Sequence, residues 1–309
     1  YFIRTYGCQM NENDSEKVAG VLEDKGYQPV DEIEDADIII LNTCCVRENA
    51  ELKVFGKLGQ LKQLKRENPE LLVGVCGCMM QEDHVVEEIK EKYAHVDLVF
   101  GTHNLHYFSE LLEEAKQDNS PLVEVWDESK ELISEMPVQR TEDYKAKVTI
   151  IYGCDNYCTY CIVPYVRGQE RSRPASSIVQ EIEELVADGV KEVMLLGQNV
   201  NSYGQDLDRK IDFADLLVQV NQIEDLKRIR YMTPHPRDFN DKLIDTISNL
   251  DKVCEQFHLP VQAGSNKILK EMNRGYTREE YIELVNKIRA KNPNAAISTD
   301  TIVGFPGES

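Results

Sequence analysis

The amino-acid sequence predicts an α/β protein of two domains: an N-terminal doubly wound parallel sheet, then a truncated, partial TIM-type β/α barrel. Three observations carry this. Short apolar runs alternate with stretches of helical period along most of the 309 residues, the pattern of successive β/α units. The alternation breaks once, over residues 127–145, which are polar and acidic, contain Pro137 and show no period, as a linker does. The length also suffices for two cores at about 100–200 residues each. The expected division is therefore 1–126, a linker over 127–145, and 146–309, with the boundary close to residue 140.

In the first domain the apolar runs place strands at 2–6, 37–41, 71–75, 96–100 and 122–125, and the periodic stretches place helices at 14–25, 50–67, 82–93 and 105–117. Strands that alternate with helices make a largely parallel sheet covered on both faces. In the second domain strands are expected at 147–152, 192–196, 228–232, 256–259 and 297–303, and helices at 176–188, 213–223, 240–250, 266–273 and 278–291. Asn240 and Thr277 are suited to helix caps, and Glu280, three residues after Thr277, completes a capping box. Five β/α steps make part of a barrel. The sequence has no initiator Met and stops within the pattern Gly304-Phe305-Pro306-Gly307-Glu308-Ser309, so a piece of a longer protein is expected.

Composition narrows the function. Hydrophobic residues at 41% and charged residues at 29% describe a folded chain. No apolar run approaches the roughly 20 residues of a membrane helix and the N-terminus has no secretory pattern, so a cytoplasmic protein is expected. The 55 acidic and 35 basic residues give a net charge of −20, which repels nucleic acid unless a local basic patch holds the phosphates. Nine cysteines in such a chain point to metal or catalytic roles rather than to disulfides.

The sharpest signal is Cys154-Asp155-Asn156-Tyr157-Cys158-Thr159-Tyr160-Cys161, a C-x3-C-x2-C loop after an apolar strand. Three thiolates so close wrap one iron–sulfur cluster and leave one iron open to a chelating substrate. The competing reading is zinc completed by a distant ligand; zinc knots favour paired C-x2-C halves, and no second half lies nearby. Cysteines also follow the first three strands: Cys8, then Cys44 and Cys45, then Cys76 and Cys78. Neighbouring strand ends of a parallel sheet bring such residues to one rim, a geometry for a second three-thiolate cluster, against the alternative of buried cysteines that simply pack. Cys254 has no partner motif and is read as structural.

Together Tyr6-Gly7-Cys8-Gln9-Met10-Asn11, Leu41-Asn42-Thr43-Cys44, Gly77-Cys78, Gly153 to Cys161, Pro164-Tyr165-Val166-Arg167-Gly168, Ser172-Arg173, Leu196 to Asn201 and His258 to Gln262 resemble the radical S-adenosylmethionine (SAM) methylthiotransferases, most closely the MiaB-type tRNA enzymes. The resemblance covers nearly the whole chain. It implies two [4Fe-4S] clusters: Cys154, Cys158 and Cys161 hold the one whose open iron chelates and reductively cleaves SAM, and Cys8, Cys44 and Cys78 hold an auxiliary one that carries sulfur. Cys45 and Cys76 stand outside the family's ligand positions and leave the choice within each pair open. It further implies that Gln198, Asn199, Gln262, Arg274 and Asp300 line the SAM pocket. The implied reaction is methylthiolation of C2 of N6-isopentenyladenosine beside the anticodon, with a tRNA anticodon stem-loop as partner and a flavodoxin or ferredoxin as reductant. A C–H bond of adenine gives ordinary acid–base groups no purchase, so the cofactor must supply a radical.

The run from Arg167 to Arg173 is the best local basic patch in this reading, with Arg167, Arg171 and Arg173 expected on RNA phosphates and Tyr157, Tyr160 or Tyr165 stacking on a splayed base. The two sets of cysteines are expected to face one cavity. Two branches of the family compete on substrate, one for threonylcarbamoyladenosine in tRNA and one for an aspartate of a ribosomal protein; a non-catalytic metal- or RNA-binding module is the reading from another class. Ala263 stands where many members have Ser. The family also has more barrel and a small TRAM domain beyond the Gly-Phe-Pro-Gly-Glu segment.

Overall fold

The computed structural model describes residues 1–45, 48–117, 120–128, 136–208 and 211–308, without the side chains of 48–50. The middle of the expected linker, 129–135, lies outside them. The chain forms two compact units, Tyr1–Thr141 with Tyr165–Gly168, and Glu142–Pro164 with Gln169–Ser309.

The first unit runs β1 (Phe2–Tyr6), α1 (Gln9–Asp24), β2 (Ile38–Thr43), α2 (Glu48–Glu67), β3 (Leu72–Gly77), α3 (Asp83–Lys92), β4 (Leu98–Phe100), α4 (Phe108–Gln117) and β5 (Leu122–Glu124). Its five strands are all parallel and lie in chain order. Strand residues alternate between faces. Ile39, Leu41, Val73, Val75 and Val99 pack with Val54, Leu58 and Leu61 of α2 and Val85, Val86 and Ile89 of α3. On the other face Phe100 stacks on Phe108 of α4 at 5.2 Å between ring centres. Helices therefore cover both faces. β2 and β3 are fully buried, which is why they read as unbroken apolar runs.

The largest departure from the sequence reading in this unit is at the start of α1. α1 begins at Gln9, five residues before its apolar period becomes visible. Its first turns bury Asn11 and Asn13 beside Met10, and buried polar residues do not register in a hydrophobic pattern.

The second unit runs β6 (Lys145–Thr149), β7 (Ile151–Tyr152), α5 (Val163–Arg167, whose end belongs to the first unit), β8 (Arg171–Ser172), α6 (Ala175–Ala187), β9 (Glu192–Leu196), α7 (Phe213–Asn221), β10 (Arg228–Tyr231), α8 (Asp241–Asn249), β11 (Gln256–His258), α9 (Asn266–Glu271), α10 (Arg278–Lys291) and β12 (Ala296–Ser298). β6, β9 and β10 pair in parallel, as do β11 and β12. A parallel bridge from Ile229 to Val253 and a 2.7 Å bond from Arg230 to Gln256 carry the series on from β10 to β11. The result is an open arc of parallel strands, part of a β/α barrel. Its core joins strand residues such as Val148, Val193, Leu195 and Phe257 to Ile178, Ile182, Phe213, Leu217, Ile244 and Ile288 of the helices. β12 is shorter than the apolar run suggests, and the short antiparallel pair β7–β8 has too few residues to show a period.

Candidate functional site

In a parallel sheet every carboxyl end lies along the same edge. Register aligns Tyr6 with Thr43 and Thr43 with Gly77, so Cys8, Cys44 and Cys78 follow three adjacent positions of that edge although more than 30 residues separate each from the next. Gly77 turns the chain there at a φ of 100°, where a Cβ would stand 2.3 Å from the Thr43 carbonyl oxygen.

Buried Asn11 ties the rim together. Its Nδ2 donates to Asn42 at 3.1 Å and to the Thr43 carbonyl at 3.2 Å and stands 4.0 Å from the Cys78 sulfur, while its Oδ1 lies 3.4 Å from both the nitrogen and the sulfur of Cys8. Arg167, from the Tyr165–Gly168 segment, puts Nε 3.1 Å from Cys78 Sγ and donates from Nη2 to Asp14 at 2.7 Å. Both partners of this ion pair are buried. Burial opposes the Arg167 charge, yet Asp14 and Cys78 hold its pKa well above the ordinary value. The Cys45 thiol beside it, and the guanidinium against the opposing effect of burial, bring the Cys78 pKa down to about 6. Cys45, which donates to Cys78 and is itself half-buried, is pushed up. Burial likewise raises Cys76 well above its ordinary value. The Cys45 hydrogen bond and the Arg167 guanidinium both favour the thiolate of Cys78, the form a metal binds.

In the second unit the loop after β7 starts at Gly153 with a φ of 76°, its N–H held by the Gln198 side chain. Cys154 and Cys158 are buried and Cys161 is half-buried. The loop is latched by the end of α9 and the residues after it. Asn273, itself at a φ of 56°, donates to the carbonyls of Asn156 (3.0 Å) and Tyr157 (3.1 Å), and Thr159 bonds to the carbonyls of Glu271 and Met272. Arg274 lies with Nη1 3.2 Å from Cys158 Sγ and donates from Nη2 to the Pro260 carbonyl at 3.0 Å. Burial pushes the Cys154 thiol up to about 12 and raises Cys161. A cation that offsets that burial is what three thiolates in one pocket need.

Among the described residues no three His, Cys, Asp or Glu side chains stand at metal-holding distance as they are. The all-sulfur donor set nevertheless fits an iron–sulfur cluster. Each rim offers sulfur, and each sets a buried arginine against one cysteine sulfur, Arg167 on Cys78 and Arg274 on Cys158.

The other residues singled out in the sequence fall as follows. Gln198 braces Gly153. Asn199, buried, donates to Asp238 at 2.7 Å. Gln262 takes a φ of 67° and its backbone pairs with that of Asp300 and Ile302. The Asp300 carboxylate is exposed, 3.4 Å from His258. The basic run is corrected: it is not an exposed patch. Arg167 is buried against Asp14, and Arg173 is buried against Glu181 at 2.6 Å and the Thr149 carbonyl, which leaves Arg171 half-buried on the face of Tyr152. Guanidiniums neutralised inside the fold are not available to phosphates. Sequence reasoning quoted Asn11 within the Cys8 motif without giving it a role, and missed Asn273 and Arg237, whose guanidinium reaches the Asn156 side chain. Beside that motif, the helix N-cap offset from Cys8 to Asn11 was a signal for Asn11.

A β/α arc that carries three cysteines on the loop after its first strands defines a radical SAM core. Residues 148–309 match the model of the Radical SAM superfamily, and residues 1–101 match that of the Uncharacterized protein family UPF0004. Over all 309 residues the chain is 58% identical to the tRNA-2-methylthio-N(6)-dimethylallyladenosine synthase of Clostridium tetani and 57% identical to that of Thermoanaerobacter pseudethanolicus. It spans 68% and 66% of those two proteins. The chain belongs to the MiaB-type methylthiotransferase family of the radical SAM superfamily. Its fold is similar to that of the radical SAM methyltransferase TsrM from Kitasatospora setae, at a TM-score of 0.67 and 13% identity, over 100% of this chain and 68% of that one. It is also similar to the cobalamin-dependent radical SAM enzyme OxsB, at a TM-score of 0.61 and 13% identity, over 97% of this chain and 49% of that one.

Proposed function

We propose that this chain supplies the catalytic units of an enzyme that methylthiolates C2 of N6-isopentenyladenosine next to the anticodon of tRNA. The observation that carries the reading is the pairing, on one chain, of a C-x3-C-x2-C loop with cysteines at three adjacent strand ends. When bound, two [4Fe-4S] clusters and SAM supply the radical that activates the C–H bond, the sulfur and the methyl group. Cys154, Cys158 and Cys161 are the proposed ligands of the cluster that takes SAM, and Cys8, Cys44 and Cys78 those of the auxiliary cluster. Arg274 and Arg167 offset negative charge at the two rims and donate to sulfur. Gln198, Asn199, Gln262, Arg274 and Asp300 are the proposed surroundings of SAM, with Gln198 also fixing the start of the cysteine loop. Tyr157, Tyr160 and Tyr165 are exposed and suited to stack on an unpaired base. The enzyme would work in the cytoplasm with a flavodoxin or ferredoxin as electron source; no described helix is long and apolar enough to cross a membrane.

The test is nucleoside analysis of tRNA from a strain lacking the gene, with and without the full-length gene restored. The reading requires the 2-methylthio derivative of isopentenyladenosine to return. A methylthiolated threonylcarbamoyladenosine, or a modified ribosomal aspartate with tRNA unchanged, would assign the chain to another branch.

A further inference from the structure

We propose that the cleft between β1 and α2 is a docking site for the phosphate backbone of the substrate RNA; the proposal rests on the function given above. The cleft, of about 520 Å³, is lined by Arg4 and Tyr6 of the edge strand β1 and by Lys53, Gly56, Lys57 and Gln60 of α2. Arg4 and Lys53 are exposed and Lys57 is half-buried. Lys53 and Lys57 lie one helical turn apart, a spacing at which like charges repel.

In a chain with 55 acidic residues, these three cations have no carboxylate partner among the described residues, whereas Lys65 further along α2 is neutralised by Asp97 at 2.8 Å. From residue 52 to 66 α2 holds Lys53, Lys57, Lys62, Lys65 and Arg66 and no acid. Uncompensated cations around a concave wall concentrate positive potential there and draw an anion in. The remaining charge repels RNA, so phosphate contact has to be local.

Gly56 is an independent pointer. Glycine within a helix costs about 1 kcal/mol against alanine. A Cβ at position 56 would meet nothing within 4 Å, so the protein's own packing does not require the glycine. Bare backbone on the cleft wall lets a ligand come close. The cations stand on two elements with Tyr6 and Gln60 between them, a spread that fits several phosphodiesters with their sugars better than one small ion. Tyr6 is two residues before Cys8, so a strand held here passes the auxiliary rim.

The test is fluorescence anisotropy of a labelled anticodon stem-loop on the full-length protein over a series of salt concentrations. Lys53→Gln with Lys57→Gln should weaken binding about tenfold and flatten the slope of log Kd against log salt by about 1.4, at about 0.7 per phosphate of single-stranded RNA. Arg4→Gln should flatten it by half as much, and Lys53→Arg should keep the wild-type slope. Gly56→Ala should hold or raise the melting temperature while it weakens binding, an outcome no folding defect gives. Wild-type affinity and slope in the charge variants would overturn the proposal, as would inorganic phosphate that saturates the cleft and leaves RNA affinity unchanged. Failure of the functional reading appears differently, as a wild-type enzyme that makes no methylthiolated nucleoside; failure of the cleft leaves wild-type turnover intact.

Discussion

Arg167 and Arg274 hold the same kind of position in two places. Each is a buried guanidinium with a nitrogen about 3 Å from a cysteine sulfur, 3.1 Å at Cys78 and 3.2 Å at Cys158. Positive charge and N–H donors at a thiolate stabilise the more reduced, more negative state of whatever it ligates. Arg274→Lys keeps the charge but gives up the fork that reaches both Cys158 and the Pro260 carbonyl. The midpoint potential of the cluster proposed at Cys158 should therefore move to more negative values, by about 60 mV for each 1.4 kcal/mol lost. Electrochemical titration of the variant checks this, and an unchanged potential would confine Arg274 to packing. A second residue-scale effect concerns His235, whose pKa burial, followed by the nearby Arg274 charge, depresses to about 3. It is neutral in the fold and takes up a proton near pH 6.5 once unfolded. Between about pH 6.5 and 3 the unfolded chain thus binds one more proton, and stability falls as pH falls, by at most about 1.4 kcal/mol per pH unit from this group. Denaturant melts of wild type and His235→Gln across that range should show a shallower acid slope in the variant.

At the scale of elements, turns decide where the sulfurs stand. Gly77 ends β3 with a positive φ and has the Thr43 carbonyl and the Asn42 side chain where a Cβ would go. Gly77→Ala should cost more than about 2 kcal/mol, since strain and a backbone clash add, and should lower the iron bound by the first unit. The far-UV melting curve and the iron content are the readouts. By contrast Thr277→Ala, which removes the cap that accepts from the Glu280 N–H at the start of α10, should cost about 1 kcal/mol and leave iron content alone. Elements are also where the sequence was most readable. β2, β3 and β9 are apolar runs because they are buried, and the cap of α10 is written in Thr277 and Glu280. The first turn of α1 was not readable, because Asn11 and Asn13 are polar residues that the fold buries. The arginines misled for the converse reason. Charge in sequence implies exposure, and only the fold reveals that Asp14 and Glu181 neutralise Arg167 and Arg173 inside it.

At the scale of the whole molecule, each unit has apolar clusters of its own among the described residues: one in the second draws on buried residues between Ala146 and Ala295, and one in the first packs buried residues from Ile33 to Val99. A domain with its own core can in principle fold and bear a ligand by itself. Replacing Cys154, Cys158 and Cys161 together by Ala should therefore remove about four of about eight irons per chain, the content of one [4Fe-4S] cluster. Release of 5′-deoxyadenosine on reduction should vanish with them. Replacing Cys8, Cys44 and Cys78 should remove the other half, keep deoxyadenosine release and abolish the methylthiolated product. Anaerobic reconstitution with iron and sulfide counts, followed by reductive turnover of each triple variant, separates these outcomes. Loss of all iron from either variant would mean that the two sets of cysteines depend on one another. Zinc in place of iron in the wild type would return both rims to a structural role. A wild type that binds about eight irons while either triple variant splits the two chemistries cleanly would instead require that sulfur delivery and radical generation reside on different units of one chain.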